Sequence, residues 1–160
     1  MTETPGAPGR ASTRTSRIIK AAPDRLYDAF IDPVTLAEWM PPGEMTGEIR
    51  AFAAGVGGGY TMSLFYPDDH AARGKTAARE DRVHVRFVDL VPARRIVEAV
   101  TFDSPDPAFH GEMTMVITFV EVAGGTDVTL LCSNLPPGLR PEDNDAGARL
   151  SLEQLARRFE

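Results

Sequence analysis

Between Pro141 and Phe159 the sequence reads PEDNDAGARLSLEQLARRF, and this stretch restricts the possible folds more than any other. At about 100° per residue, Ala148, Leu152, Leu155, Ala156 and Phe159 fall on one stripe, with Arg149, Glu153, Gln154 and Arg157 on the other side. Pro141 suits the first helical position, where its missing N–H costs nothing, and Glu142 and Asp143 sit where the helix dipole favours acids. Glu153 and Arg157 are i,i+4 partners in the favourable order. Leu150 lies off the stripe and is either exposed or covered by another element, while Asn144 and Asp145 point to the same side as the stripe. A helix with such a face needs an apolar layer to lie on.

The preceding segments read as that layer. A first strand is expected at 13–20, carrying Ile18 and Ile19. Pro23-Asp24 opens a short helix with Leu26, Tyr27 and Phe30 as apolar positions. Asp32-Pro33 ends it and caps a second short helix, which stops near Trp39-Met40-Pro41-Pro42. Further strands are expected at 45–52, 57–66, 82–90, 95–103, 111–122 and 127–132. The alternation is clearest in Met113, Met115, Ile117 and Phe119 against Glu112, Thr114 and Thr118. Residues 67–81 and 104–110 read as loops, and Gly124-Gly125 as a hairpin turn. Short connections imply antiparallel neighbours. The predicted architecture is α+β: a helix-grip fold, with a curved antiparallel sheet of six or seven strands around the C-terminal helix and two short helices after the first strand.

Residues 1–12 are rich in Pro, Gly, Thr and Ser and read as a disordered tail, leaving one domain over 13–160. The net charge of −6 argues against nucleic-acid or anionic-membrane binding, and no apolar run is long enough for a membrane span. The N-terminus has no apolar core of a secretion signal, so a cytoplasmic location is expected. Basic residues are nearly all Arg, which suggests a GC-rich bacterial genome. Cys132 is alone, which excludes an internal disulfide and a cysteine zinc cluster.

Several spaced motifs carry a resemblance: AAPDRLYDAFIDPVTLAEWM, GGGYTMSLFY, VRFVDLVPARRIV, GEMTMVITFVEVAGGTDVTL and SLEQLARRFE. In this order they resemble the START-like superfamily, in its branch related to the activator of Hsp90 ATPase, over residues 14–160. Proteins of this kind include polyketide cyclases, carriers of hydrophobic ligands, antibiotic-sequestering proteins and co-chaperone domains. The resemblance implies a cavity between the long helix and the sheet. It carries no universal catalytic residue onto this chain.

The residues expected to face such a cavity are soft and aromatic. They are Tyr60, Met62, Leu64, Phe87, Phe102, Met113, Met115 and Ile117 from the strands, and Leu152 and Leu155 from the helix. The same set could equally fill a packed core. Trp39 and Met40 either gate the mouth or plug the end of the core. Glu98 shares strand parity with Ile96, Val100 and Phe102. If that parity faces inward, a carboxylate sits in apolar surroundings with a raised pKa and becomes a candidate general acid or base; with the opposite parity it is in solvent. Asp145, with Asn144, either binds a polar ligand group or serves the helix start and an i,i+4 pair with Arg149. Gly57-Gly58-Gly59 reads as a bulge or close backbone packing rather than a phosphate cradle. Gly74-Lys75-Thr76 lacks the rest of a P-loop, and Asp68-Asp69-His70 lacks metal-ligand spacing. His70, His84 and His110 are scattered, and Cys132 reads as a small buried hydrophobe. No metal and no cofactor are expected.

The leading functional expectation is binding of a small hydrophobic or aromatic molecule by a monomer or homodimer. The alternatives are a cyclase, dehydratase or hydrolase working in the same cavity, or a protein-interaction domain of the co-chaperone kind. A polar side chain reaching the ligand would favour the enzyme, and a wholly apolar cavity the carrier.

Overall fold

The structure, a computed structural model, describes residues 10–67 and 80–160. The tripeptides at 68–70 and 74–76 lie outside the described residues, as does most of the tail expected over 1–12. The elements run β1 (Thr13–Ile19), α1 (Pro23–Ile31), α2 (Pro33–Trp39), β2 (Thr46–Ala53), β3 (Gly59–Phe65), β4 (Glu80–Val91) and β5 (Arg95–Phe102). A 3₁₀ turn (Pro107–Phe109), β6 (Met113–Val122), β7 (Gly125–Ser133) and α3 (Pro141–Phe159) complete the chain. The strands form one antiparallel sheet of seven in the order β1-β7-β6-β5-β4-β3-β2. Strands β2 to β7 form a meander, and β1 extends it at one edge by pairing with the last strand. The α+β helix-grip reading therefore holds, with seven strands.

Local chemistry accounts for the junctions. The Asp32 side chain accepts a hydrogen bond from the Thr35 N–H and caps α2, and Pro occupies the first turn of all three α-helices. The glycine run before β3 is close packing. A Cβ on Gly59 would lie 1.9 Å from the Val85 carbonyl oxygen, and the Gly57 N–H and Gly58 carbonyl exchange hydrogen bonds with Phe87. Strand β2 bulges between Arg50 and Ala53, and β4 between Phe87 and Asp89.

The inner face of the sheet and the stripe of α3 make the core. Ile19, Met62, Phe87, Ile96, Ile117, Val128, Leu152, Leu155 and Ala156 are almost wholly buried. Leu150, off the stripe, is exposed. Helices α1 and α2 close one end. Tyr27 and Phe30 pack edge-on against Phe119, and Phe30 meets Trp39 at 4.8 Å between ring centroids. The Trp39 indole N–H donates to the Ala29 carbonyl at 2.9 Å, so this side chain anchors α2 on α1.

Candidate functional site

The two halves of α3 meet the sheet differently. Its C-terminal half presents Leu152, Leu155 and Ala156, which are almost wholly buried. Its N-terminal half presents Gly147, Ala148 and Ser151, whose side chains are short, and Asn144, which bonds sideways to Thr13 on the edge strand β1. Between that half and the sheet lies a cleft of about 530 Å³. Gly147 marks the reason, since a Cβ built there would meet nothing within 4 Å. Leu64, Phe102, Met113, Met115, Leu130 and Cys132 line the sheet side, with Phe30, Trp39, Met40 and Met45 at one end and Phe109 and Leu139 at the other. A wider surface hollow of about 820 Å³ lies outside the helix–sheet interior, at the turn between β4 and β5. Asp24, Arg94, Arg95 and Glu121 give that hollow a charged lining.

Helix α3 also holds the cleft's mouth. The loop after α2, from Met40 to Met45, contributes Met40, Pro42 and Met45 to the lining. Gln154 donates to the Trp39 and Pro41 carbonyls at 2.7 and 2.8 Å and accepts from the Gly43 N–H at 3.0 Å. Ser151 donates to the Met40 carbonyl at 2.7 Å. Gln154 lies on the side of α3 away from the stripe, so periodicity alone does not single it out.

Polar residues at the border of the cleft include Tyr66, Asp81, Arg140, Asp143, Asn144 and Ser151. The Tyr66 hydroxyl donates to Asp81 at 2.9 Å, and Asp81 is only 3% exposed. Burial first, and the bond to Asp81 second, raise the Tyr66 phenol above its ordinary range. At the other side, Asn144 donates to the Thr13 hydroxyl at 2.8 Å. Burial pushes the neighbouring Cys132 thiol up, opposed in part by hydrogen bonds to Asn144 and Thr13.

Beside the cleft floor is Glu98. The inward parity is the one with Ile96 and Val100, so Glu98 is 1% exposed. One row crosses the inner face as successive cross-strand partners: Phe87, Glu98, Met115, Cys132 and Thr13. Glu98 thus stands next to Met115, which lines the cleft. Its Oε1 has no hydrogen-bond partner among the described residues. Burial alone pushes the carboxyl up to about 8, so most of it is protonated at neutral pH. Burial, and then the charge of Glu98, raise the Tyr60 phenol well above its ordinary range.

The residues singled out in the sequence divide into three groups. Trp39, Met40, Leu64, Phe102, Met113 and Met115 line the cleft. Tyr60, Met62, Phe87, Ile117, Leu152 and Leu155 are buried in the adjoining core. Asp145 bonds Thr15 and Arg149 and is turned towards β1; these two hydrogen bonds, Thr15 first, hold its carboxyl below the usual range. Asp81 escaped notice because residues 67–81 read as a polar loop. Strand β4 begins at Glu80, which pairs Asp81 with Leu64 and turns it inward. Gly147 left one signal, a glycine inside a helix where Ala would be favoured. Among the described residues, no group of three or more His, Cys, Asp or Glu is placed to hold a metal ion, and no helix is long and apolar enough to cross a membrane.

A seven-stranded antiparallel sheet gripping a C-terminal helix, with a cleft between them, defines a START-like domain. Within that class, the chain belongs to the family described as activator of Hsp90 ATPase homolog 1-like protein, whose profile matches residues 20–160. Protein CV1439 from Chromobacterium violaceum is similar, with 30% identity over 93% of this chain and 97% of that one and a TM-score of 0.81. Protein Mll3558 from Rhizobium loti shares 26% identity over 92% and 96% of the two chains, with a TM-score of 0.71. DynU16, from the dynemicin biosynthetic locus, has the same fold at 21% identity and a TM-score of 0.66, over 91% of this chain and 46% of that one. No curated protein matches the chain significantly.

Proposed function

We propose that this protein binds a small, largely apolar molecule, flat or aromatic in shape, in the cleft between the N-terminal half of α3 and the sheet. One observation carries the reading: about 530 Å³ of space inside the helix–sheet interior, walled chiefly by methionine, leucine and aromatic side chains. That volume lies in the range of small-molecule sites, roughly 300–1,000 Å³. Unbranched methionines let such a wall adapt to different shapes. The polar groups at its edges, Tyr66–Asp81 and Asn144–Thr13, would orient a ligand rather than supply most of its affinity. The family's name refers to activation of a chaperone ATPase, a role that calls for a protein-docking surface. An internal cleft supports a small-molecule partner instead.

The test is a fluorescence titration of the purified protein with a hydrophobic dye, paired with Met115→Phe. Wild type is expected to bind the dye. The variant is expected to lose most of that binding at little cost in melting temperature, because the added ring occupies open space. In a filled core the same overpacking costs about 1–3 kcal/mol. A wild type that binds no dye, together with a strongly destabilised variant, would sink the reading. A second, catalytic reading rests on Glu98, a buried acid beside the cleft. It requires Glu98→Gln to abolish turnover of a ligand identified by native mass spectrometry, with affinity retained.

A further inference from the structure

The least settled polar atom near the cleft is Glu98 Oε1. Its side chain is 99% buried, and the atom has no partner among the described residues. Leaving a buried polar atom without a partner is costly, and native structures seldom do so without a reason. Burial is what moves its carboxyl, and the ionisable groups that feel it, Tyr60 on β3 and Cys132 on β7, are both acids that are neutral at pH 7. Its cross-strand neighbours are Phe87 and Met115. Both Met115 and its own partner Cys132 line the cleft, so Glu98 is one cross-strand neighbour away from the space.

We infer that Glu98 is the recognition group for a single polar handle on the molecule in the cleft, and that this handle is a neutral hydroxyl of the phenol type. The inference rests on the small-molecule reading above and narrows its ligand class. A carboxylic acid can donate one hydrogen bond and accept another, which is the complement of a hydroxyl. A buried carboxyl pushed up to about 8 is in its neutral form under ordinary conditions. An ammonium handle would force both partners to ionise in an apolar site, where desolvation offsets the attraction. Met115 can rotate aside because methionine has three flexible torsions. The rest of the ligand would lie along Met113, Leu130 and Phe102.

Two flat probes separate this inference from the reading beneath it: 2-naphthol, and 2-methylnaphthalene, which replaces the hydroxyl by a methyl. Their dissociation constants are measured by competition against the hydrophobic dye in wild type, Glu98→Leu and Glu98→Gln. In Glu98→Leu, 2-naphthol is expected to lose about tenfold in affinity while 2-methylnaphthalene is unchanged, the loss of one hydrogen bond. Glu98→Gln, which keeps a donor and an acceptor, restores most of the preference. Infrared difference spectra of wild type add a readout that needs no folded Leu variant. There, 2-naphthol is expected to shift the carboxylic C=O stretch, 2-methylnaphthalene to leave it alone, and Glu98→Gln to remove the signal. If both probes bind but the ratio of their affinities is the same in all three proteins, and the stretch does not move, Glu98 does not recognise the handle and the inference is overturned alone. If neither probe binds wild type, the small-molecule reading fails and takes the inference with it.

Discussion

Replacing Glu98 by Gln should reverse its sign of effect with pH. In the folded protein burial moves the carboxyl from 4.5 to about 8. Below pH 4.5 the proton is bound in both folded and unfolded states, and the residue adds no pH dependence. Above that, the unfolded chain releases the proton while the folded protein keeps it, so folding takes up a proton from solvent at a cost that rises with pH. Stability therefore falls by about 1.4 kcal/mol per pH unit from 4.5 until the folded carboxyl itself ionises near 8, and is flat beyond. The full loss is on the order of 5 kcal/mol. The Gln variant has no such slope, but its amide is buried with little to bond, at a cost of about 1–3 kcal/mol.

The two stability curves should consequently cross near pH 6, at roughly the point where the wild type's loss equals that amide cost. At pH 5 the wild type is the more stable, and at pH 9 the variant is, by about 2–4 kcal/mol. Urea unfolding at unit steps from pH 5 to 9 measures this, and the difference between the proteins cancels every group they share. A difference that stays constant across the range would refute the reasoning. It would mean that Glu98 ionises in the folded protein as it does in water, and that solvent or a partner reaches it.

Gly147→Ala should stabilise the protein by about 0.5–1 kcal/mol, since the position is helical and a Cβ there meets nothing within 4 Å; chemical denaturation checks it. Gly59→Ala should be among the most damaging single-methyl additions, because its Cβ would sit 1.9 Å from the Val85 carbonyl oxygen in a paired strand. A soluble variant melting as wild type would count against that backbone approach. Gln154→Ala should cost about 1–3 kcal/mol and leave the Met40–Met45 loop less protected, read as faster amide exchange at Gly43.

Most of the fold was legible because its signals are periodic. The period of α3 and the alternation along β6 each repeat over several turns or pleats, so a boundary error of a residue or two leaves them intact. Asp32 was legible as a cap because the chemistry is local, a side chain and an N–H three residues on. The cleft was less legible, for a physical reason. Leu152 and Met113 carry the same inward signal, yet one is sealed in core and the other borders space. Periodicity tells which way a side chain faces, not whether the layer opposite reaches it. Asp81 depended on where β4 begins, and Glu98 on which of two parities faces in, so each turned on a single residue of register.

Where the space lies follows from how α3 divides its work. Its C-terminal half carries the large apolar residues and is held on the sheet by them. Its N-terminal half is held by polar contacts at its flank instead, through Asn144 to Thr13 and Asp145 to Thr15, both on β1. Those bonds fix the helix to the sheet's edge without needing bulk underneath, so Gly147 and Ala148 can stay small. Ser151 and Gln154, at the junction of the halves, tie down the loop that borders the opening. The helix is thus at once the main weight on the core, the roof of the cleft and the latch of its mouth. A substitution in its inner face should act on stability from Leu152 onward and on the cleft before Ser151.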